Sequence, residues 1–305
     1  MLTCDEYLMP ESADEALSEL GDGKGGARIV AGATDILPWA REGRGGDVHY
    51  ARMIDVSKVH ELRGIAREDG RVRIGACTTI GQFLSDPVLL ADSPLLARCA
   101  VWFADEQIRE QATVGGSLVN ASPAADTPPP LLALNAEIIL LRLQSGHVVS
   151  RAVPLKDFIL GPGKTALAPN ELLASIVCDA TPGYCAAFEK VGHRRSLAIS
   201  TVCVAVLVKP DERLERFADT RIAIGGVGPV AERLSEGEKL LTGEEISVAS
   251  IRQAASTAAS RVASRTRREY RREVVTNFVV RGIVTALKQA GVARQKIDDE
   301  EYIHA

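Results

Sequence analysis

Two turn signals fix the kind of sheet this chain can build. Asp69-Gly70 sits at the centre of "LRGIAREDGRVRIGACTT", and Ser145-Gly146 at the centre of "AEIILLRLQSGHVVSRAVPL". Both flanks alternate in polarity, and such two-residue connections close antiparallel strands. "ARIVAG" and "VHYARMIDVS" read as short strands upstream. "YCAAFEKVGHR", "LAISTVCVAVLV" and "TRIAIGGVGPVAERL" read as three or four antiparallel strands downstream. Helical spacing interrupts them. Ser12, with Glu15 as capping-box partner, opens a helix in "ESADEALSEL". Gly81 to Glu110 is helical. Past Ser247, Ile251, Ala254, Ala255, Ala258 and Val262 share one helical face, and Val274, Phe278 and Val279 begin another. The class is α+β.

The 305 residues suggest two domains. The connector "LKDFILGPGKTALAPNELLASI", rich in Pro and Gly, puts the division near its end. We expect domains at 1–175 and 176–290, with a tail at 291–305. A formal charge of −4 argues against a nucleic-acid surface. No apolar run reaches the roughly 18 residues of a membrane span. The N-terminus lacks a signal-peptide core, so a cytoplasmic protein is expected. Six cysteines form no C-x-x-C pair and five histidines are scattered. They read as small core residues rather than metal ligands.

Two glycine loops carry the functional signal. Ala31, Gly32, Ala33, Thr34 and Asp35 follow a strand. Thr113, Val114, Gly115, Gly116 and Ser117 follow a helix. Glycine lets backbone N–H groups converge on a ligand, and hydroxyls add donors, which suits a phosphate or pyrophosphate. Each loop alone is equally a tight turn. Neither has the Rossmann spacing, and no P-loop occurs. The stretch Thr113 to Glu137 reads as mostly irregular, a loop followed by a proline-led apolar run.

Taken together, "AGATD", "RIGACTTI", "TVGGSLVNASPAAD" with "LLALNAE", "FEKVGHRRSLAIS", "IGGVGPVAERL" and "EYRREVVTNFVVRGI" resemble the FAD-binding medium subunit of the molybdenum hydroxylases, the carbon monoxide dehydrogenase and xanthine dehydrogenase family. The resemblance spans roughly residues 1 to 285. It implies a vanillyl-alcohol-oxidase-type (PCMH) FAD-binding domain in two subdomains, then an antiparallel sheet with a C-terminal helix bundle. It implies that residues 31–35 and 113–117 are FAD-pyrophosphate loops, that Asp126, Phe103 and Leu173 lie near the cofactor, and that Lys190 and Ile199 lie near the flavin ring. The family often has glycine at Ala33 and commonly Asn at Ser117. "SRTRREYR" departs from the usual D-x-R-A-S-x-x-Y-R, in a part that bears on assembly.

The residues themselves leave alternatives. Asp126 is either a cofactor contact or a helix N-cap before "PPPLLAL". Lys190 is either near the flavin or a solvated strand lysine. Trp102-Phe103 is either core or cofactor box. His193, Arg194 and Arg195 form a solvated turn, a redox-tuning cluster or a partner surface. The five arginines between Arg265 and Arg272 form a solvated face or a docking surface.

By resemblance the chain is an electron-transfer subunit with no catalytic side chain. It would bind FAD non-covalently, since neither loop contains His or Cys. Its partners would be a large molybdopterin subunit and a small [2Fe-2S] subunit, as a dimer of heterotrimers. It would pass electrons from those clusters to an external acceptor. The alternatives are a stand-alone FAD-dependent oxidoreductase of the same fold and a scaffold that has lost FAD. Gly115→Asp is expected to strip FAD while leaving the fold, because the loop is taken to lie outside the cores.

Overall fold

The computed structural model describes residues 1–21, 25–42, 48–194 and 197–297. The chain opens with a parallel three-stranded sheet in the order β1-β3-β2. Its parts are β1 (Leu2–Leu8), α1 (Ala13–Leu20), β2 (Ala27–Val30), α2 (Ile36–Arg41) and β3 (Val48–Asp55). Ser12 caps α1 by accepting from the Glu15 N–H at 3.2 Å. The Glu15 carboxylate reaches Glu11 N–H instead of closing the box on Ser12.

The hairpin β4 (Ile65–Glu68) and β5 (Arg71–Gly75) turns at Asp69-Gly70 as expected. Five helices follow: α3 (Pro87–Asp92), α4 (Pro94–Trp102), α5 (Glu106–Gln111), α6 (Val114–Asn120) and α7 (Pro128–Ala133). The last two correct the expectation that Thr113 to Glu137 is mostly irregular. Thr113 starts α6 by accepting from Gly116 N–H at 3.1 Å, and Pro128 opens α7 with its preset φ. Next come β6 (Glu137–Gln144), β7 (His147–Pro154), the short α8 (Leu155–Phe158), the small pair β8 (Ile159–Gly161) and β9 (Lys164–Thr165), and β10 (Leu172–Asp179). These build an antiparallel sheet ordered β4-β5-β10-β6-β7. The end of the Pro- and Gly-rich connector is therefore this sheet's central strand, and residue 175 falls inside it.

The last sheet is antiparallel, β11-β12-β13-β14, from β11 (Cys185–Val191), β12 (Val202–Pro210), β13 (Phe217–Gly225) and β14 (Glu232–Arg233). It is followed by α9 (Ser235–Leu241), α10 (Val248–Ser260) and α11 (Arg268–Ala290). Helix α10 buries Ile251, Ala254, Ala255 and Ala258, the face read from the sequence.

Strand β12 shows how the layers join. Val202, Val204, Val206 and Val208 face α9 to α11. Cys203, Ala205 and Leu207 face the opposite way, into the core under the second sheet and helices α3, α4, α6 and α7. An antiparallel strand covered on both faces reads as one apolar run. Small residues on the second face let the helices approach: a Cβ on Gly225 would lie 2.8 Å from both Cys203 Sγ and Pro129 Cγ. No described helix is long and apolar enough to cross a membrane.

Glu171 anchors the connector beside β7. Arg151 grips its carboxylate with Nε at 2.6 Å and Nη2 at 2.7 Å, and Ala168 N–H donates at 2.9 Å. The Arg151 hydrogen bonds hold this buried carboxyl below the usual carboxylate range. A depressed folded pKa stabilises above the unfolded value, about 4.3, and that stability is lost as pH falls through the folded value. Glu171→Gln should therefore cost about 2 kcal/mol at neutral pH. Urea melts should show the gap to wild type closing as the medium becomes more acidic than about pH 4. An equal gap at both pH values would refute the assignment.

Candidate functional site

Three loops interlock at one end of the first two sheets. They are the first glycine loop (residues 31–35), the segment after β5 (residues 76–80) and the entry to α6 (residues 110–117). A Cβ on Gly32 would lie 1.8 Å from the Gln111 carbonyl oxygen, so only glycine lets these backbones meet. A Cβ on Gly115 would lie 2.8 Å from both Cβ and O of Ala76. Around this meeting point is a cleft of about 300 Å³, lined by Ala31, Gly32, Ser57, Arg63, Cys77, Thr79, Glu110, Gln111 and Thr113. The structure thus brings both glycine loops to one cavity.

The loops differ in what they offer. Among the described residues, no main-chain hydrogen bond starts from the N–H of Gly32, Ala33, Thr34 or Asp35. Ala33 takes a left-handed φ of 55°. Successive free N–H groups around a left-handed residue form an anion-binding concavity. In the second loop the N–H groups from Val114 onward are taken. Val114 donates to Thr78 O at 3.0 Å, Gly115 to Ala76 O at 2.9 Å, Gly116 to the Thr113 hydroxyl and Ser117 to Thr113 O at 3.0 Å. Converging N–H donors are therefore a property of the first loop alone. Gly115 is buried and the flanking Val114 and Leu118 are core residues, so α6 does not lie outside the cores. Gly115→Asp would break packing on Ala76 as well as any ligand contact, which overturns the expectation of an intact fold.

Side chains carry the site onward from the cleft. Asn120 Nδ2 donates to Asp35 Oδ2 at 2.9 Å, tying the first loop to the end of α6. Ser117 Oγ meets Thr127 Oγ1 at 2.7 Å, beside Asp126. Asp126 is 6% exposed and Lys190 9%. Lys190 Nζ donates to Asp126 Oδ2 at 2.6 Å and to the Trp102 carbonyl at 3.0 Å. Ser200 Oγ donates to Asp126 Oδ1 at 2.6 Å, and the Cys99 thiol donates to the Asp126 carbonyl at 3.3 Å. Burial pushes the Asp126 carboxyl up, while Lys190 and Ser200 draw it back. The N-cap of α7 is Thr127, so the capping role for Asp126 is set aside, as is the solvated role for Lys190.

Phe103 is half-buried at the end of α4, while Trp102 is exposed and contributes its carbonyl. Leu173 is buried in the core on β10. Ile199 is 75% exposed, next to Ser200. His193 Nδ1 lies 3.4 Å from Arg267, and Arg194 bonds the Leu197 carbonyl. Arg195 is outside the described residues. Arg271 leaves the expected solvated face and donates to the carbonyls of Thr201 and Gly226. Arg63, Cys77 and Ser200 were not anticipated. Burial pushes the Cys77 thiol up to about 11, so it is not the thiolate that covalent attachment would need.

Comparison with known proteins decides the family. The profile of the FAD binding domain in molybdopterin dehydrogenase matches residues 3–178, and that of the CO dehydrogenase flavoprotein C-terminal domain matches residues 186–286. The chain belongs to the FAD-binding medium-subunit family of the molybdenum hydroxylases. It is 32% identical over 257 residues to the carbon monoxide dehydrogenase medium chain of Hydrogenophaga pseudoflava, covering 83% of this chain and 85% of that one. It is 33% identical over 216 residues to a putative xanthine dehydrogenase FAD-binding subunit of Escherichia coli, covering 70% and 71%. A solved chain of carbon monoxide dehydrogenase from Hydrogenophaga pseudoflava superposes with a TM-score of 0.85 at 30% identity, covering 94% of this chain and 98% of that one. The family's PCMH-type architecture and its dehydrogenase role as an oxidoreductase subunit hold for this chain. The free N–H row, the glycine contact and the cleft fit the family's FAD at the first loop.

Proposed function

We propose that the chain carries a non-covalent FAD and passes electrons from the [2Fe-2S] clusters of a small partner subunit to an external acceptor. A large molybdopterin subunit completes the complex, as a dimer of heterotrimers. The carrying observation is the row of free N–H groups from Gly32 to Asp35, beside a cleft that Ala31 and Gly32 of the first loop line together with Thr113 of the second. The Hydrogenophaga relative bears the name of a medium chain, which supports a multi-subunit setting. Six free thiols, three of them buried, suit a reducing cytoplasm.

FAD, when bound, supplies the redox chemistry, accepting and releasing electrons at its ring system. The chain's own residues bind, orient and exclude water. The N–H groups of residues 32–35 would hold the pyrophosphate, and Arg63 on the cleft wall would add positive charge. Thr113, Glu110 and Gln111 shape the opposite wall. Lys190 makes two hydrogen bonds, to Asp126 and to Trp102. An ammonium has three donors, so one remains for a ring acceptor. Phe103 and Leu173 supply apolar walls and Ile199 an exposed aliphatic edge. No side chain here acts as nucleophile or general base.

The purified chain should be yellow with stoichiometric FAD, and acid precipitation should release the colour to the supernatant. Colour in the pellet refutes the non-covalent link, and a colourless chain that takes up no added FAD refutes the cofactor reading. Co-expressed with molybdopterin and [2Fe-2S] subunits, its flavin should bleach on substrate addition. A lone chain that reduces its own flavin with a small substrate would instead establish the stand-alone oxidoreductase.

A further inference from the structure

Ser200 lies where the chain leaves an exposed turn and enters β12. Its neighbours pin the backbone independently of its side chain. Thr201 N–H donates to Val191 O at 2.8 Å, and Arg271 donates to the Thr201 carbonyl. Ser200 itself is 4% exposed, and its hydroxyl donates at 2.6 Å to Asp126 Oδ1. That oxygen receives no other hydrogen bond among the described residues, since Lys190 occupies Oδ2.

We infer that Ser200 is a positioning residue of the flavin site: its hydroxyl holds the Asp126 carboxylate in place, and through Asp126 it holds Lys190 with one N–H free for the ligand. The inference rests on the FAD reading above. The physical argument is one of compensation. A buried carboxylate is costly unless its oxygens are filled. The groups packed around Asp126 are the Cys99 and Cys203 thiols, both held protonated by burial, and the Lys190 ammonium. Among the described residues no other cation is in direct contact, so loss of the Ser200 hydroxyl leaves Oδ1 bare. The carboxylate is then free to turn, and Lys190 Nζ, bonded to its other oxygen, is no longer held toward the ligand. A fixed positive charge beside a ring that gains electrons favours the reduced state, so its displacement lowers the potential.

The test uses the full FAD-loaded chain with Ser200→Ala, Ser200→Cys and Ser200→Thr. The readouts are FAD content and the reduction potential of the bound FAD, measured by equilibrium titration against a redox dye. Alanine removes the donor and cysteine weakens it at similar shape, so both should carry FAD at a potential shifted below wild type. Threonine keeps the hydroxyl and should restore the wild-type value. An unchanged or raised potential in the alanine and cysteine variants overturns the inference. If alanine does not fold, cysteine alone decides. If neither folds while threonine does, the hydroxyl is structural and the inference is overturned. A wild-type chain without FAD overturns the cofactor reading instead.

Discussion

Gly32→Ala should sharply weaken FAD retention. The added Cβ would sit 1.8 Å from the Gln111 oxygen and 2.7 Å from its carbonyl carbon. Both are backbone atoms, so no side chain can swing aside. The first loop must back away from the entry to α6, opening the cleft and dispersing the N–H groups of residues 32–35. Overpacking of this kind costs about 1–3 kcal/mol. We expect FAD affinity to fall by more than a factor of about 10, the equivalent of about 1.4 kcal/mol. Gly116→Ala is the matched control. Its Cβ would meet only the Thr113 hydroxyl, at 2.9 Å. Equilibrium dialysis with FAD and chemical melts of both variants check this. Equal FAD binding by the two would show that the loop contact is not what shapes the site.

Asp126→Ala should be the most destabilising single change at the site. It strands the Lys190 ammonium, whose side chain is 3% exposed, with only the Trp102 carbonyl. Breaking a buried pair from one side costs about 3–5 kcal/mol, whereas replacing both partners by apolar groups is often close to neutral. The double variant Asp126→Leu with Lys190→Met should therefore recover most of the stability lost by Asp126→Ala. It should not recover wild-type flavin properties, because the ammonium is gone. Urea unfolding separates the two effects. A double variant as unstable as the single would mean that the pair is needed for packing rather than for charge.

The contrast between sequence and structure follows the range of the interactions. The hairpins at Asp69-Gly70 and Ser145-Gly146, the Ser12 cap and the buried face of α10 are set by neighbours in sequence, and all could be read there. Helix α6 could not. "VGGSLVN" has poor helix propensity, and its helix depends on the Thr113 cap and on Gly115 packing against Ala76 across the fold. Strand β1 was missed because its residues are largely exposed and its pairing with β3 lies more than forty positions away. Within the site, the glycine loops announced themselves by composition, but their different hydrogen bonding did not. Lys190 and Asp126 are 64 positions apart, and nothing local marks either as buried. Ser200, Arg63 and Cys77 enter only because the loops fold over them.

The doubly covered strand β12 sets a condition on how the protein can be made. Ala186, Phe188, Cys203, Ala205, Leu207 and Ala223 complete the core that α4, α6 and α7 begin. A ribosome that has released only the first 178 residues has produced a sheet and helices with one wall missing. Their apolar face stays open until the next two strands emerge, about 30 residues further on at ~5–20 residues per second. The glycine loops are already synthesised by then. The lysine that pairs with Asp126 is not, so the loop end of the candidate site exists as chain before its ion pair does.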